Sequence, residues 1–582
     1  MASDSKKSII DLGILKRIMS FVKPYRWVFN LTVFSTILLG LLSITRPILI
    51  EYTVDNFIIG NDKEMLLHYT LIMVGLLIME SFVQFFFMYA ANWIGQSVIK
   101  DMREKVYKKI LSFKLGFFDK TPIGALVTRS VSDIETIAEI FSHGIIVIFG
   151  DVFKIVIILS WMFYKDVTLT LVSLSVFPVL MLATMYFQRA MKSAFEDERS
   201  AISKLNTFVQ EHVTGMKIVQ IFNREEAEFE NFKVINKDFR QATIRAIWYF
   251  SIFLPVIEIM SALALGLMVW YGGVNMILGG DVSLGLMMAF ILLINMLFRP
   301  VRQLADRVNT LQRGIIASNR VFKILDTDEH VDNQGTHLLE HIKGKVEFKH
   351  LNFSYKKGEP ILKDISFTIE PGEKLALVGA TGAGKSSIVS LLLRFYNRDS
   401  GSILVDEKDI SEYELNSLRK QLALVLQDVF LFSDSIYKNI VLDKDIPLEE
   451  VKAAAEAIGV SEFIEELPGA YDYNVRERGV MLSAGQRQLI AFLRAYVCKP
   501  GILILDEATS SVDTHTELLI QNAIEKITEN RTSIIIAHRL ATIRNADKIL
   551  VMDKGRIVEE GSHYELLEKK GYYSKLFEMQ FS

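Results

Sequence analysis

Cysteine is nearly absent from this chain. Cys498 is the only one in 582 residues, which excludes an internal disulfide framework and says little about redox compartment. Charge imbalance is equally small: 65 Lys and Arg against 68 Asp and Glu leave a formal net charge of −3. That gives no electrostatic footprint for nucleic acid. The first 25 residues are polar and basic and lack an early apolar core. No cleavable signal peptide or transit sequence is visible, and the N-terminus is expected in the cytosol.

Apolar residues are abundant. Half of the chain is hydrophobic, and most of the long apolar runs lie before residue 300. Six segments, near 27–50, 66–94, 140–162, 164–187, 247–271 and 283–299, are each long enough for a bilayer crossing of ~20 residues. As buried core helices they would leave a soluble domain with almost no surface. The loop after the first segment (Glu51, Asp55, Asp62, Lys63, Glu64) is acidic, whereas the flanks at 100–114, 189–245 and 299–320 are rich in Lys and Arg. By the positive-inside rule the N-terminus, the long connections 96–139 and 188–246, and everything past residue 300 are cytosolic. Both connections are charged and helically periodic, so the membrane helices are expected to continue into the cytosol. They are interrupted at 116–126 and 212–225, and both tips are expected to dock on the soluble domain.

Three smaller features belong to this half. Leu12, Leu15, Ile18, Met19 and Val22 share one helical face, which is read as a short helix in the membrane interface in preference to a soluble surface helix of the same pattern. Glu80 and Glu258 interrupt apolar runs. An acid there is costly and often faces a cavity, which makes both candidate contacts for cationic or amphipathic cargo; the structural alternative is pairing with Lys154. Asp151 and Lys154, one helical turn apart, can also neutralise each other.

The soluble half turns on residues 374–396: an apolar strand, the loop GATGAGKSS, and an apolar helix. Gly379, Gly384, Lys385 and Ser386 fit the phosphate-loop pattern G-x-x-x-x-G-K-[ST] in the strand-to-helix setting that the pattern requires. Glycines let backbone N–H groups curl around phosphate oxygens, and the helix directs its positive end at them. Lys385 neutralises β- and γ-phosphates in this reading, Ser386 ligates Mg²⁺, and Thr381, Gly382 and Ser387 complete the nucleotide contacts. Tyr355, some twenty residues earlier, is placed where an aromatic stacks on a base, although Tyr in a strand also packs.

Later motifs fall in a matching order. Gln427, after an apolar strand, can reach Mg²⁺ or the attacking water, or serve only at the surface. Ser483 to Gln486 is an S-x-x-Q capping box. Its exposed helix start, with Gly485 allowing close approach, is also a second phosphate site. One nucleotide does not easily need two such helix starts from one chain, so the second implies a partner subunit's ATP. Ile502 to Leu505 form an apolar run typical of a central parallel strand, which puts Asp506 and Glu507 at its C-terminal edge. Asp506 suits Mg²⁺ through water, and Glu507 suits a general base for the attacking water. His538 closes another buried strand, in place to touch the γ-phosphate.

With these residues assembled the chain resembles the ABC exporter family, specifically bacterial half-transporters of the lipid-flippase and multidrug type, over nearly its whole length. GATGAGKSS matches the family's Walker A loop, LSAGQ its signature, ILILDE its Walker B, SSVD its D-loop, and His538 its switch histidine. FFDKTPIG and TGMKIVQIFNRE look like its coupling-helix regions. The resemblance implies an α-helical six-span membrane domain of the type IV exporter class (1–325), a linker (326–344) and an α/β nucleotide-binding domain (345–582). It further implies ATP and Mg²⁺ as cofactors, the bacterial cytoplasmic (inner) membrane as location, and lipid or amphipathic small molecules as substrates. It implies a second half-transporter as partner, two ATPs being held between the Walker A of one chain and the signature of the other. A homodimer is favoured slightly over a heterodimer because Lys385, Gln427, Glu507 and His538 are all intact. An ATP-gated channel or a regulatory subunit of a heterodimer is the alternative. Three positions depart from the family pattern: Ala484 replaces a glycine, Leu426 stands where a proline is common, and Arg476 occupies a glycine position.

Overall fold

The computed structural model describes residues 12–331, 333, 335–356, 358–506, 514–537 and 540–581. They form two compact units, Met1–Leu111 with Pro122–Asp328, and Ser112–Thr121 with Glu329–Ser582.

The first unit is helical. In chain order it contains α1 (Leu12–Ser20), α2 (Arg26–Thr53) and α3 (Lys63–Leu111). After α4 (Leu115–Lys120), which lies in the second unit, come α5 (Ile123–Ser130), α6 (Ser132–Glu139), α7 (Ile145–Lys165), α8 (Val167–Leu174), α9 (Phe177–Thr214), α10 (Met216–Ile221), α11 (Glu225–Ile277) and α12 (Leu284–Asp326). Among the described residues, five helical stretches are long and apolar enough to cross a membrane, and a sixth, shorter apolar run, Leu284–Pro300, opens α12. All six apolar segments of the sequence lie in these helices, so this is a multi-pass membrane protein. At ~1.5 Å per residue, α11 with its 53 residues is ~80 Å long. That is more than twice a hydrocarbon core of ~30 Å, so most of α11 has to lie outside the bilayer.

Close helix contacts come from small side chains. A Cβ on Gly40 would lie 3.1 Å from the ring of Phe153, and one on Gly150 would strike the Thr36 methyl group. This lets α2 and α7 approach closely, as small residues do between membrane helices. The buried hydroxyls of Thr32, Ser35 and Thr36 donate to carbonyls one turn back (2.7–2.9 Å), so none is left unsatisfied in an apolar setting. Asp55, just past α2, ties down the start of α12: it accepts from the Gly285 N–H at 2.8 Å and from Ser283 Oγ at 2.5 Å.

The amphipathic N-terminal helix is packed on protein. Ile18 and Val22 are buried, Phe21 stacks on Phe322, and Arg17 lies over the Phe322 ring while pairing with Asp326. Much of the apolar face that suited a membrane interface therefore covers the end of α12.

The second unit holds two sheets. Strands β1 (Val346–Ser354), β2 (Pro360–Ile369), β4 (Ser400–Val405) and β5 (Lys408–Asp409) form an antiparallel sheet in the order β2-β1-β4-β5. The other sheet runs β10-β9-β3-β8-β7-β6, built from β3 (Lys374–Gly379), β6 (Leu422–Val425), β7 (Ile502–Asp506), β8 (Thr532–Ile536), β9 (Lys548–Asp553) and β10 (Arg556–Gly561). All its pairings are parallel except β10 with β9. Its central strands are buried on both faces: Leu375 and Leu377 of β3 enter one core, and Ala376 and Val378 enter the other. Continuous apolar strands are what such a double-sided parallel sheet demands. It also brings the C-terminal ends of β3, β7 and β8 side by side.

Candidate functional site: a phosphate loop at the sheet edge

Strand β3 leads through residues 380–384 into α13 (Lys385–Leu392). The glycine requirement is physical at two positions. Gly379 has φ +153°, and a Cβ there would strike the Met552 carbonyl of β9; Gly384 has φ +104°, and a Cβ would come within 2.6 Å of Leu362. The loop can therefore close tightly only without side chains. The start of α13 directs its positive end at the loop, although the Ser387 N–H already donates to the Gly384 carbonyl at 3.1 Å.

Lys385 is largely buried, and its Nζ donates to the loop's own carbonyls, Gly379 at 2.7 Å and Ala380 at 3.2 Å. Burial pushes its ammonium pKa down, while the Asp506 carboxylate opposes that shift. The sheet thus brings Asp506, at the end of β7, close enough for its charge to act on the loop lysine. Ser386 is exposed at the helix start and Ser387 is buried beneath it. Gln427 lies two residues beyond β6, exposed, on the strand paired with β7. This cradle suits a nucleotide triphosphate. Glu507, His538 and the D-loop residues 510–513 lie outside the described residues.

The LSAGQ segment opens α18 (Ala484–Val497), preceded by α14 (Leu415–Lys420), α15 (Ile436–Val441), α16 (Leu448–Ala457) and α17 (Ser461–Glu465). Ser483 Oγ accepts from the Gln486 N–H at 3.1 Å, and Gln486 Oε1 accepts from the Ser483 N–H at 2.9 Å, which completes the capping box. Gly485 is buried, so Ser483 and Ala484 present the surface. Ala484 is the first helical residue, a backbone conformation that alanine adopts without cost. Arg476 differs. It is held at φ 61°, ψ −172°, a region that costs ~1–3 kcal/mol for any residue with a Cβ. Arg476→Gly should therefore raise stability by about 1 kcal/mol, seen as a higher melting temperature of the purified chain. A lower one would mean that contacts of the arginine side chain outweigh the strain.

The two helical tips behave differently. α4 belongs to the second unit: the preceding segment pairs with residues after α12, Lys114 N–H donating to the Glu329 carbonyl at 3.0 Å and Phe113 bridging His330. α10 belongs to the first unit and buries none of its residues, Ile218 and Ile221 being about 60% exposed. Of the two tips expected to dock on the soluble domain, α4 belongs to the unit that contains it. Sequence reading also missed two residues near the loop, Tyr396 and Asp119, which are hydrogen-bonded to each other. Their partnership is tertiary, and no spacing announces it.

In the membrane half, Asp151 pairs with Arg307 rather than neutralising Lys154. Lys154 has Glu80 as its electrostatic partner, with Arg46 and Arg299 also within its field. Glu258 is exposed in α11.

A phosphate-loop ATPase unit joined in one chain to apolar spanning helices defines an ATP-coupled membrane transporter. Two family descriptions match: the ABC transporter transmembrane region over residues 29–301 and the ABC transporter unit over 362–510. Among similar proteins, the "Putative multidrug export ATP-binding/permease protein YgaD" of Bacillus subtilis is 37% identical over 98% of this chain and 100% of its own length. An ATP-dependent lipid A-core flippase of Syntrophus aciditrophicus is 33% identical over 98% and 95%, and the uncharacterized ABC transporter ATP-binding protein YknV of Bacillus subtilis 35% over 97% and 94%. The chain belongs to the ABC transporter family, as an exporter with membrane and ATP-binding domains fused.

Proposed function

We propose that this chain is one half of an ATP-driven exporter that moves lipid or amphipathic small molecules out of the cytoplasmic leaflet of a bacterial inner membrane by alternating access, with both termini in the cytosol. The reading is carried by one observation: the chain that builds a phosphate loop at α13 also presents a second, capped helix start at Ser483. Two copies arranged head to tail use both, the Walker A of one facing the LSAGQ of the other. ATP can favour that closed arrangement only by binding it better, and Ser483 of the partner subunit supplies the differential contact. Lys385 holds the β- and γ-phosphates, Tyr355 takes the base, Glu507 polarises the attacking water, and His538 touches the γ-phosphate. Ser386, Asp506 and Gln427 would hold Mg²⁺, which neutralises developing phosphate charge when bound. The exposed apolar side chains of α10 are free to seat on the ATP-binding unit of the other copy. Intact motifs favour two identical copies.

The test is reconstitution of the purified chain in proteoliposomes. ATP should drive uphill accumulation of Hoechst 33342, or translocation of fluorescently tagged phosphatidylethanolamine, and either probe should stimulate ATP hydrolysis. Passive flux that ATP merely switches on would instead make the protein a gated channel. Full-rate hydrolysis by a solitary subunit would remove the two-copy arrangement.

A further inference from the structure

Three aromatic rings connect α13 to α4. Tyr355 packs edge-on against Phe353 (4.7 Å between ring centres) and against Tyr396 (4.9 Å, 90°), and Phe353 also meets Tyr396 at 5.9 Å. Phe353 is 2% exposed and Tyr355 is 43% exposed, so Phe353 forms a fixed wall while Tyr355 keeps open surface for a base. The Tyr355 hydroxyl reaches Ser387 Oγ of α13 at 3.2 Å.

Beyond Tyr355, the half-buried Tyr396 donates its hydroxyl to the Asp119 carboxylate on α4. Its ring lies against Gly116 of the same helix, where an added Cβ would sit 3.1 Å away. Burial, followed by the Asp119 charge, raises the Tyr396 pKa, so its hydroxyl remains a donor. Beside the ring is a cavity of about 220 Å³ whose lining includes Arg394, Asn397 and Arg398.

We propose that Tyr396 is a positioning residue for nucleotide binding: its ring sets the orientation of Tyr355, and Asp119 on α4 sets the orientation of Tyr396. This rests on the reading of Tyr355 as the base-stacking residue. ATP affinity is then partly written at α4, and by reciprocity ATP binding strengthens the Asp119–Tyr396 pair by the same factor.

The experiment measures ATP hydrolysis by the full-length reconstituted chain, with inorganic tripolyphosphate as a competitor that carries phosphates and no base. Tyr396→Leu should raise KM for ATP about fivefold, the size that loss of one aromatic pair supports, with kcat moving less. Asp119→Asn and Tyr396→Phe, which keep all three rings, should raise it about twofold to threefold, the scale of one weakened hydrogen bond. In each variant the inhibition constant of tripolyphosphate should stay within about twofold, since the phosphate cradle is untouched. Parallel weakening of ATP and tripolyphosphate would overturn the proposal in favour of a merely structural role. If Tyr396→Leu fails to fold, the two conservative variants still decide. Tyr355→Ala separates the two layers: should it raise KM for ATP while Asp119→Asn and Tyr396→Phe do not, the positioning role falls and base stacking stands. Should it leave KM unchanged, base stacking falls and the positioning role with it.

Discussion

Replacing Glu507 by glutamine should lower steady-state ATP hydrolysis by about a hundred- to a thousandfold while ATP binding persists, the range expected if the proposed general base is lost. The order of the sequence explains the size: β7 ends at Asp506, whose carboxylate acts on the loop lysine, and the proposed base is the next residue in the chain. Glutamine keeps the shape and can still orient water, but it cannot accept a proton at neutral pH. The geometry for binding survives and the chemistry stops. Under the two-copy arrangement, Glu507→Gln protein should retain ATP after purification, and mixing it with the unsubstituted chain should poison the mixed pairs. Phosphate release in single-turnover assays and nucleotide content by chromatography check this. Near-normal turnover in the variant would remove Glu507 from the role.

Much of this was legible because the ATP-binding unit is built from local rules. The run LALV is a buried strand because its residues enter two cores alternately, and GATGAGKSS is a tight loop because side chains at 379 and 384 would collide. The six apolar segments were equally plain, since a bilayer imposes length and composition together. Other features were closed to a linear reading because they depend on what the chain brings together from afar. The pattern of Leu12, Leu15, Ile18 and Met19 cannot distinguish lipid from the end of α12, some 300 residues on. Asp151 and Lys154 share a helical face in sequence, yet Asp151 pairs with Arg307, more than 150 residues on. The fate of Arg476 needed a backbone angle, and that of Asp119 needed a tyrosine 277 residues away.

Lys385→Ala should weaken ATP binding by about a hundredfold and bring hydrolysis close to background, because truncating one partner of a buried charge pair typically costs about 2–5 kcal/mol. The ammonium donates to the carbonyls of Gly379 and Ala380, which are neutral acceptors, so phosphate oxygens would offer it charged partners instead. Arginine should not rescue: the site is buried and tight around the lysine, and a planar guanidinium does not replace a compact ammonium. A pH dependence follows. Burial depresses the Lys385 pKa in the free protein, and phosphate charge raises it in the complex. The lysine's contribution to affinity is then fully present below the free-state pKa and is lost as pH rises through the bound-state value. Affinity measured by equilibrium dialysis from neutral to alkaline pH should fall for the natural chain and stay flatter for Lys385→Ala; equal slopes would mean that another group governs the titration.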